Sequence, residues 1–322
     1  MNVLIHCDIF AEHGMGHASR CRALARALVA RGAEVVFVTK TPALHAYVAP
    51  FLCFTQGADL VPSAEVVVYD TTEPLATGLL DIYSPFIDGP LVCIDRTDAP
   101  AHAALCILPH IHISPATLAR LQETFGSRLL TGEPYVMLDQ DVTALESLPY
   151  AERVNGPIVF CAGGSDPAGV LEKMWAWCGN ILPEVDKFFC VGEQVQYMLG
   201  GVITPKTHLV RFDRRLLRTA ALVVTTMGQT VYECLYWQTP TCIIGHTDRH
   251  CEAAAARSAS WGLRGGGSVY LGDIRTMDAD TFRFYLNNYG RDARTRSGMA
   301  RHSAGILDGR GVERIADAVM AL

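Results

Sequence analysis

NVLIHCDIFAEHGMGHASRCRALARALVARG, residues 2–32, is the stretch whose reading decides the fold. NVLIHC is a short, apolar, β-branched run that ends at polar residues, which suits a buried strand better than a helix. Gly14 and Gly16 then bracket Met15 in a tight turn. Beyond it, Ala18, Cys21, Leu24, Ala25 and Leu28 recur at helical spacing, with Arg20, Arg22 and Arg26 expected on other faces. Gly32 stops the helix, as a C-terminal glycine does. The unit is strand, glycine turn, helix. His17 opens that helix, either as an ordinary helix-start residue or as a catalytic group beside a bound ligand.

The same alternation continues outward. AEVVFVTK, a helix from about Pro42, AEVVVYD and PLVCIDR follow, which implies a parallel sheet with crossover helices. A second block opens at NGPIVFCAGGSDPAGVLEKMWAWC, again strand, glycine turn, helix. FFCVG, HLVRF, ALVVTT and PTCIIG add further strands. The polar segment 148–157, LPYAERVNGP, is the expected linker. The division is therefore 1–150 as an N-terminal Rossmann-like domain and 155–310 as a C-terminal Rossmann-like, nucleotide-binding domain. A last helix, 311–322, is expected to cross back onto the first.

Bulk composition fits two such domains. The 322 residues are 50% hydrophobic and 19% charged, enough for one or two buried cores. A net charge of −6 gives no reason to expect nucleic acid as a partner. The local basic run Arg211, Arg214, Arg215, Arg218 suits an anion. None of the eleven cysteines form a CxxC pair or a zinc-finger spacing, and most lie in apolar runs. A reduced, cytoplasmic protein is expected. The N-terminus reads as a first strand rather than a signal peptide, and no apolar run is long enough to span a membrane.

Several segments carry candidate chemistry. In CAGGSDPAG, 161–169, Gly163 and Gly164 let the backbone approach a ligand, and Ser165 or Asp166 can cap the next helix. Its first amides suit an anion. A plain glycine turn with a good cap is the alternative. In 223–244 a strand ends at Thr225–Thr226, and Met227, Gly228, Gln229 and Thr230 form a donor-rich turn. Glu233 is placed in the first turn of the following helix, where the dipole favours a carboxylate. It either accepts from ribose hydroxyls or faces solvent. Asp248, Arg249 and His250 are assigned to a strand-end loop. His246 and His250 lack an evident third metal ligand, and His110 and His112 read as a polar strand face. Asp95, Arg96 and Asp98 end a strand, as a surface ion-pair cluster or, for Asp95 and Asp98, as acid/base partners.

Two α/β domains facing each other across a cleft would bring both glycine turns to one site, the GT-B architecture, which suits nucleotide-sugar chemistry. On this ordered set of motifs the chain resembles the GT-B nucleotide-sugar hydrolases of the pseudaminic acid pathway, which release UDP from a UDP-linked 2,4-diacetamido-2,4,6-trideoxyhexose. That family is similar in turn to the glycosyltransferase that adds N-acetylglucosamine to the peptidoglycan lipid precursor. The matching residues are Asp8, Gly14, Gly16, His17, Arg20, Asp70, Asp95, Gly132, Tyr135, GGSD at 163–166, the turn 225–230, Glu233 and Glu252.

The resemblance implies that Glu233 holds the ribose. The turns 163–166 and 226–230, with Phe212, would cradle the uracil-ribose-diphosphate. His17 would act as acid/base at the anomeric carbon, with Asp95 and His250 as further catalytic candidates. Gly14, Met15, Gly16, Arg20, Thr72, Tyr135, Asp248 and Arg249 fall on the sugar or phosphate side. Thr72 stands where the family has Tyr, His250 where it has Asn, and Asp139 where it has Arg. The first two bear on the substrate site. Hydrolysis of a UDP-linked amino or deoxy sugar, in bacterial surface-glycan biosynthesis, is the leading expectation. Transfer to a glycan, lipid or protein acceptor is the second, and a non-catalytic nucleotide-sugar or glycan-binding module the third. No cofactor or metal is expected beyond the nucleotide-sugar substrate.

Overall fold

The computed structural model describes residues 1–8, 15–56, 63–71, 89–109, 113–164, 166, 168–192, 204–262 and 267–322, the side chains of 259–262 excepted. These group into two compact units, one ending at Gln140 but including Gly309–Leu322, the other running from Asp141 to Asp308.

In the first unit the strands are β1 (Asn2–Cys7), β2 (Glu34–Thr39), β3 (Leu52–Thr55), β4 (Val66–Asp70), β5 (Leu91–Ile94), β6 (Leu105–Leu108) and β7 (Leu129–Thr131). They form one seven-stranded sheet in the order β3-β2-β1-β4-β5-β6-β7, with every pair parallel. A parallel sheet is covered on both faces, so its strands are apolar throughout rather than alternating. VVVYD and LVCI are accordingly buried at every position. Val3, Ile5 and Cys7 join one core cluster and Leu4 joins the other. α1 (Gly16–Val29) buries Ala18, Cys21, Leu24, Ala25 and Leu28 against the first of these. Gly32, at φ 85°, then turns the chain. α2 (Ala43–Val48) and α3 (Pro115–Phe125) complete the crossovers, α3 starting where Ser114 accepts from the Thr117 amide. The C-terminal helix Gly311–Met320 places Val312, Ile315, Ala316 and Val319 in the α1 cluster. Each such aliphatic side chain contributes roughly 1.5–3 kcal/mol.

Early in the second unit, after a short helical turn at Gln140–Thr143, comes the short helix α4 (Tyr150–Arg153). Segment 148–157 is therefore part of this unit and not a free linker. Buried Arg153 donates to the carbonyls of Arg218, Trp237 and Gln238, and that clamp outweighs the turn chemistry of its prolines and glycine. There follow β8 (Ile158–Cys161), α5 (Val170–Cys178), β9 (Lys187–Val191), β10 (Thr207–Arg211), α6 (Arg214–Thr219), β11 (Leu222–Thr226), α7 (Gln229–Tyr236), β12 (Thr241–Gly245), α8 (Asp248–Gly262) and β13 (Ser268–Asp273). The six strands lie in the order β10-β9-β8-β11-β12-β13, again parallel throughout. α9 (Ala279–Arg291) and α10 (Ala293–Ser303) close the unit, capped by Asp278 and Asp292.

In both sheets the strand order reverses once, between β1 and β4 and between β8 and β11. Ligands of open α/β sheets bind outside the carboxyl ends of the strands at such a switch point. Among the described residues no helix is long and apolar enough to cross a membrane.

Candidate active site

At the first switch point β1 pairs with β4 in a register that sets Cys7 beside Asp70. Asp70 is the last residue of β4 and is fully buried. His17, in the first turn of α1, brings Nδ1 to 2.7 Å from Asp70 Oδ1. One turn further on, Arg20 grips the same carboxylate at both oxygens, Nε to Oδ2 at 2.6 Å and Nη2 to Oδ1 at 2.5 Å. Its Nη1 reaches Asp95 Oδ2, just past β5, at 2.9 Å. Cys21 Sγ donates to Asp70 from below, at 3.2 Å. Arg20 is thus buried at 6% exposure, not on a polar helix face as its spacing suggested, because two carboxylates from neighbouring strands neutralise it.

Burial by itself would raise the Asp70 carboxyl. The Arg20 charge, followed by His17 and the hydrogen bonds of both, overrides this and holds it well below the usual carboxylate range. Asp70 is therefore an anion that only accepts, so the His17 Nδ1 beside it carries the proton. Arg20 Nη2 also lies 2.9 Å from that nitrogen, but an arginine has no lone pair to receive from it and its shorter bond goes to Asp70. This tautomer leaves Nε2 as the basic nitrogen of His17, which is 15% exposed. A base oriented by a buried carboxylate is an arrangement that suits general-base chemistry.

Around this cluster, Met15 precedes α1 and accepts from the Ser19 amide, while Gly16 has open space where a side chain would stand. Gly14 and Thr72 lie outside the described residues, as do Ser165, His110 and His112. Tyr135 packs against the first unit's core rather than joining the charged cluster. Asp98 forks onto Arg96 at 2.9 and 2.6 Å, and Arg96 is buried, donating to the Thr71 carbonyl and lying over the Tyr69 ring. The expected surface cluster is therefore split: Asp95 belongs to Arg20, and Asp98 to a buried Arg96. Asp139 is also buried and takes Arg22 and Arg26 at 3.4 and 2.9 Å. The two arginines spaced four apart on α1 were the sequence signal for that partner.

At the second switch point β8 and β11 align Cys161 with Thr225. Gly163 is left-handed at φ 80°, and the Gly164 carbonyl sits so close to Gly192 that a side chain there would collide with it. Asp166 caps α5, accepting from Val170 and Leu171 at 2.8 and 3.0 Å. The helix-start amides expected to take an anion are thus occupied by the chain's own carboxylate. Thr226 and Met227 are buried, Gly228 is exposed, and Gln229 and Thr230 are half-buried. Gly228 is extended and has open space where a side chain would stand.

α7 begins at Gln229, so Glu233 lies in the second turn, beyond the reach of the helix-start dipole. It is 2% exposed, not solvent-facing, and accepts from Arg214 Nε at 3.0 Å. The basic run that contains Arg214 is dispersed: Arg218 donates to the Glu146 carbonyl and Arg215 is exposed. Phe212 follows β10, half-buried, its amide bonded to the Val191 carbonyl.

Asp248, Arg249 and His250 form the first turn of α8, not a loop. Asp248 pairs with Arg275 at 2.5 Å. His250 Nδ1 is nearly equidistant from the two ring nitrogens of His246, at 3.2 and 3.1 Å. It therefore faces the ring edge between them, and the two imidazoles do not converge as a chelate would. Among the described residues no group of three His, Cys, Asp or Glu is placed to hold a metal. His17, Arg20 and Asp95 are brought together in the first unit, and Gly163 and Gly164 follow β8 while 226–230 follow its neighbour β11 at the switch point of the second. His250 lies beside β12.

No protein-family model and no curated protein matches the sequence. Solved structures match along its whole length. UGT89C1 of Arabidopsis thaliana, complexed with UDP, is 12% identical with a TM-score of 0.65, covering 99% of each chain. CalG4, the calicheamicin glycosyltransferase, is 15% identical with a TM-score of 0.58, covering 99% of this chain and 97% of its own. The fold is GT-B. A putative UDP-N-acetylglucosamine 2-epimerase from Listeria monocytogenes is similar too, 14% identical with a TM-score of 0.62, covering 99% of this chain and 96% of its own. At such identities the likeness is one of fold.

Proposed function

We propose that this GT-B chain is a nucleotide-sugar enzyme in which His17 is the general base. The observation that carries the reading is the His17–Asp70 pair at the switch point of the first sheet. Asp70 fixes the imidazole with Nε2 as the proton acceptor, and in the reaction Nε2 takes the proton of an attacking hydroxyl. That oxygen bonds to the anomeric carbon, the bond from this carbon to the diphosphate breaks, and UDP leaves with its electron pair. Imidazole titrates near neutral pH, which suits this role. The second unit takes the nucleotide, with the backbone at Gly163 and Gly164 and the turn 226–230 on the ribose and diphosphate and Glu233 on the ribose hydroxyls once Arg214 shares it.

Glycosyl transfer to an acceptor hydroxyl is the form favoured by the fold comparisons, since CalG4 is a glycosyltransferase and UGT89C1 carries UDP. The ordered motifs from Gly16–His17 to Glu233 favour a second form, hydrolysis of a UDP-linked amino or deoxy sugar. Incubation with UDP-, CMP- and dTDP-sugars, with and without cell extract, separates the two. UDP release that depends on extract supports transfer, and release in buffer alone supports hydrolysis. Absence of binding to every nucleotide sugar overturns the reading. Turnover is expected to survive excess EDTA, because proton transfer and leaving-group stabilisation are both assigned to protein groups.

A further inference from the structure

Asp95 is placed with unusual care for a residue after a strand. Its backbone is left-handed, at φ 60°, a conformation most non-glycine residues avoid and one that Asp and Asn tolerate best. Its amide donates to the Ile107 carbonyl at 2.7 Å, which fixes the turn and aims the carboxylate at Arg20 Nη1. The charges facing His17 among the described residues come from three elements: Arg20 from α1, Asp70 from β4 and Asp95 from the turn after β5. The thiols of Cys21 and, behind it, Cys7 pack beneath, with burial pushing Cys21 well up so that it stays neutral.

Arg20 spans two carboxylates: Asp70, which also bonds His17, and Asp95 on its Nη1. Asp95 thus offsets the cation whose Nη2 lies 2.9 Å from His17 Nδ1. We propose that Asp95 is a positioning residue that, acting through Arg20, raises the proton affinity of His17 and keeps its Nδ1 directed at Asp70. Its use in turnover rests on the nucleotide-sugar reading, whereas the electrostatic effect does not. The sign follows from the contacts: neutralising Asp95 removes a carboxylate that offsets Arg20 and disfavours the protonated imidazole, while neutralising Arg20 removes a cation beside it and favours that state.

The test is a titration of the ligand-free protein, labelled with ¹⁵N-histidine, with the His17 signals assigned by their loss in His17→Gln. In Asp95→Asn, which keeps the left-handed turn, the His17 midpoint is expected to fall by roughly one pH unit. In Arg20→Gln it is expected to rise. Opposite shifts are a signature that a merely structural role would not produce. Asp95→Gly makes the same charge change if Asp95→Asn does not fold. An unmoved midpoint in the Asp95 variant, or shifts of the same sign in both, overturns the proposal. With a nucleotide sugar that turns over, the acidic limb of kcat/KM follows the midpoint. A shifted midpoint in a protein that binds no nucleotide sugar upholds this inference and defeats the functional reading. Turnover with an unmoved midpoint does the reverse.

Discussion

The carboxyl edges of the two sheets share a strand order and differ in chemistry. In the first unit the switch point is a knot of charged and titratable groups: Asp70 gripped by Arg20, His17 bonded to Asp70, and Asp95 balancing Arg20. In the second it is lined by glycine backbone and threonine, and the carboxylates of Asp166 and Glu233 are committed, the first to the α5 amides and the second to Arg214. A charged, buried cluster moves protons, because low local polarity magnifies each charge. A turn of backbone donors binds, because its dipoles are fixed before the ligand arrives. The proposed function gives reaction to the first unit and nucleotide recognition to the second, and substitutions can break that division.

The largest effect is expected at His17. His17→Ala should slow nucleotide release by about 10²- to 10⁴-fold, as loss of a general base does, while UDP affinity measured by calorimetry stays within roughly twofold. Affinity falling in parallel with rate would end the division of labour. Next is Asp70, whose lowered carboxyl makes its stabilisation fully present above the ordinary carboxylate value of about 3.9 and lost as pH falls below it. Urea unfolding between pH 3 and 7 should show wild-type stability declining on the acid side. Asp70→Asn should flatten that decline and cost about 3–5 kcal/mol at pH 7, the range for breaking a buried charge pair. A decline of the same steepness in both proteins would remove Asp70 from the acid response.

Glu233→Gln should weaken UDP binding by roughly tenfold, about 1.4 kcal/mol, with the rate at saturating sugar little changed. A loss confined to rate would move Glu233 to the chemical side. The smallest effect is expected at the turn itself. Gly228 is extended with open space around it, so Gly228→Ala should leave the melting temperature unchanged and lower UDP affinity a few-fold by occupying ligand space. Gly163→Ala, at φ 80°, should instead cost about 1–2 kcal/mol of stability, the penalty for a left-handed alanine.

Much of this architecture was legible in the residues. The stripe Ala18, Cys21, Leu24, Ala25, Leu28 is the buried face of α1, and the apolar runs ending in Asp70 and Thr226 are β4 and β11. Short strands were not. LCFT, LCIL and LLT, which form β3, β6 and β7, are too brief for periodicity to separate strand from helix, and only pairing with a neighbour defines them. At the site, His17 stood out because a histidine after a glycine turn is conspicuous. Asp166 as a cap followed from its place before a helix. The Arg214 partner of Glu233 did not, since nothing local distinguishes it from Arg211 or Arg215.

By itself, then, the sequence determined the alternation of strand and helix and the glycine turns, which are set within a dozen residues, and that alternation implied parallel sheets, whose pairing joins strands some thirty to sixty residues apart. Tertiary structure decided which charges meet. Arg20 binds Asp70 fifty residues away and Asp95 seventy-five away, and both distances collapse only because β4 and β5 lie next to one another, beside β1, in register. An arginine on a helix reads as solvent-facing until the sheet delivers its carboxylates. The chemistry of His17 depends on that delivery, which no local pattern encodes.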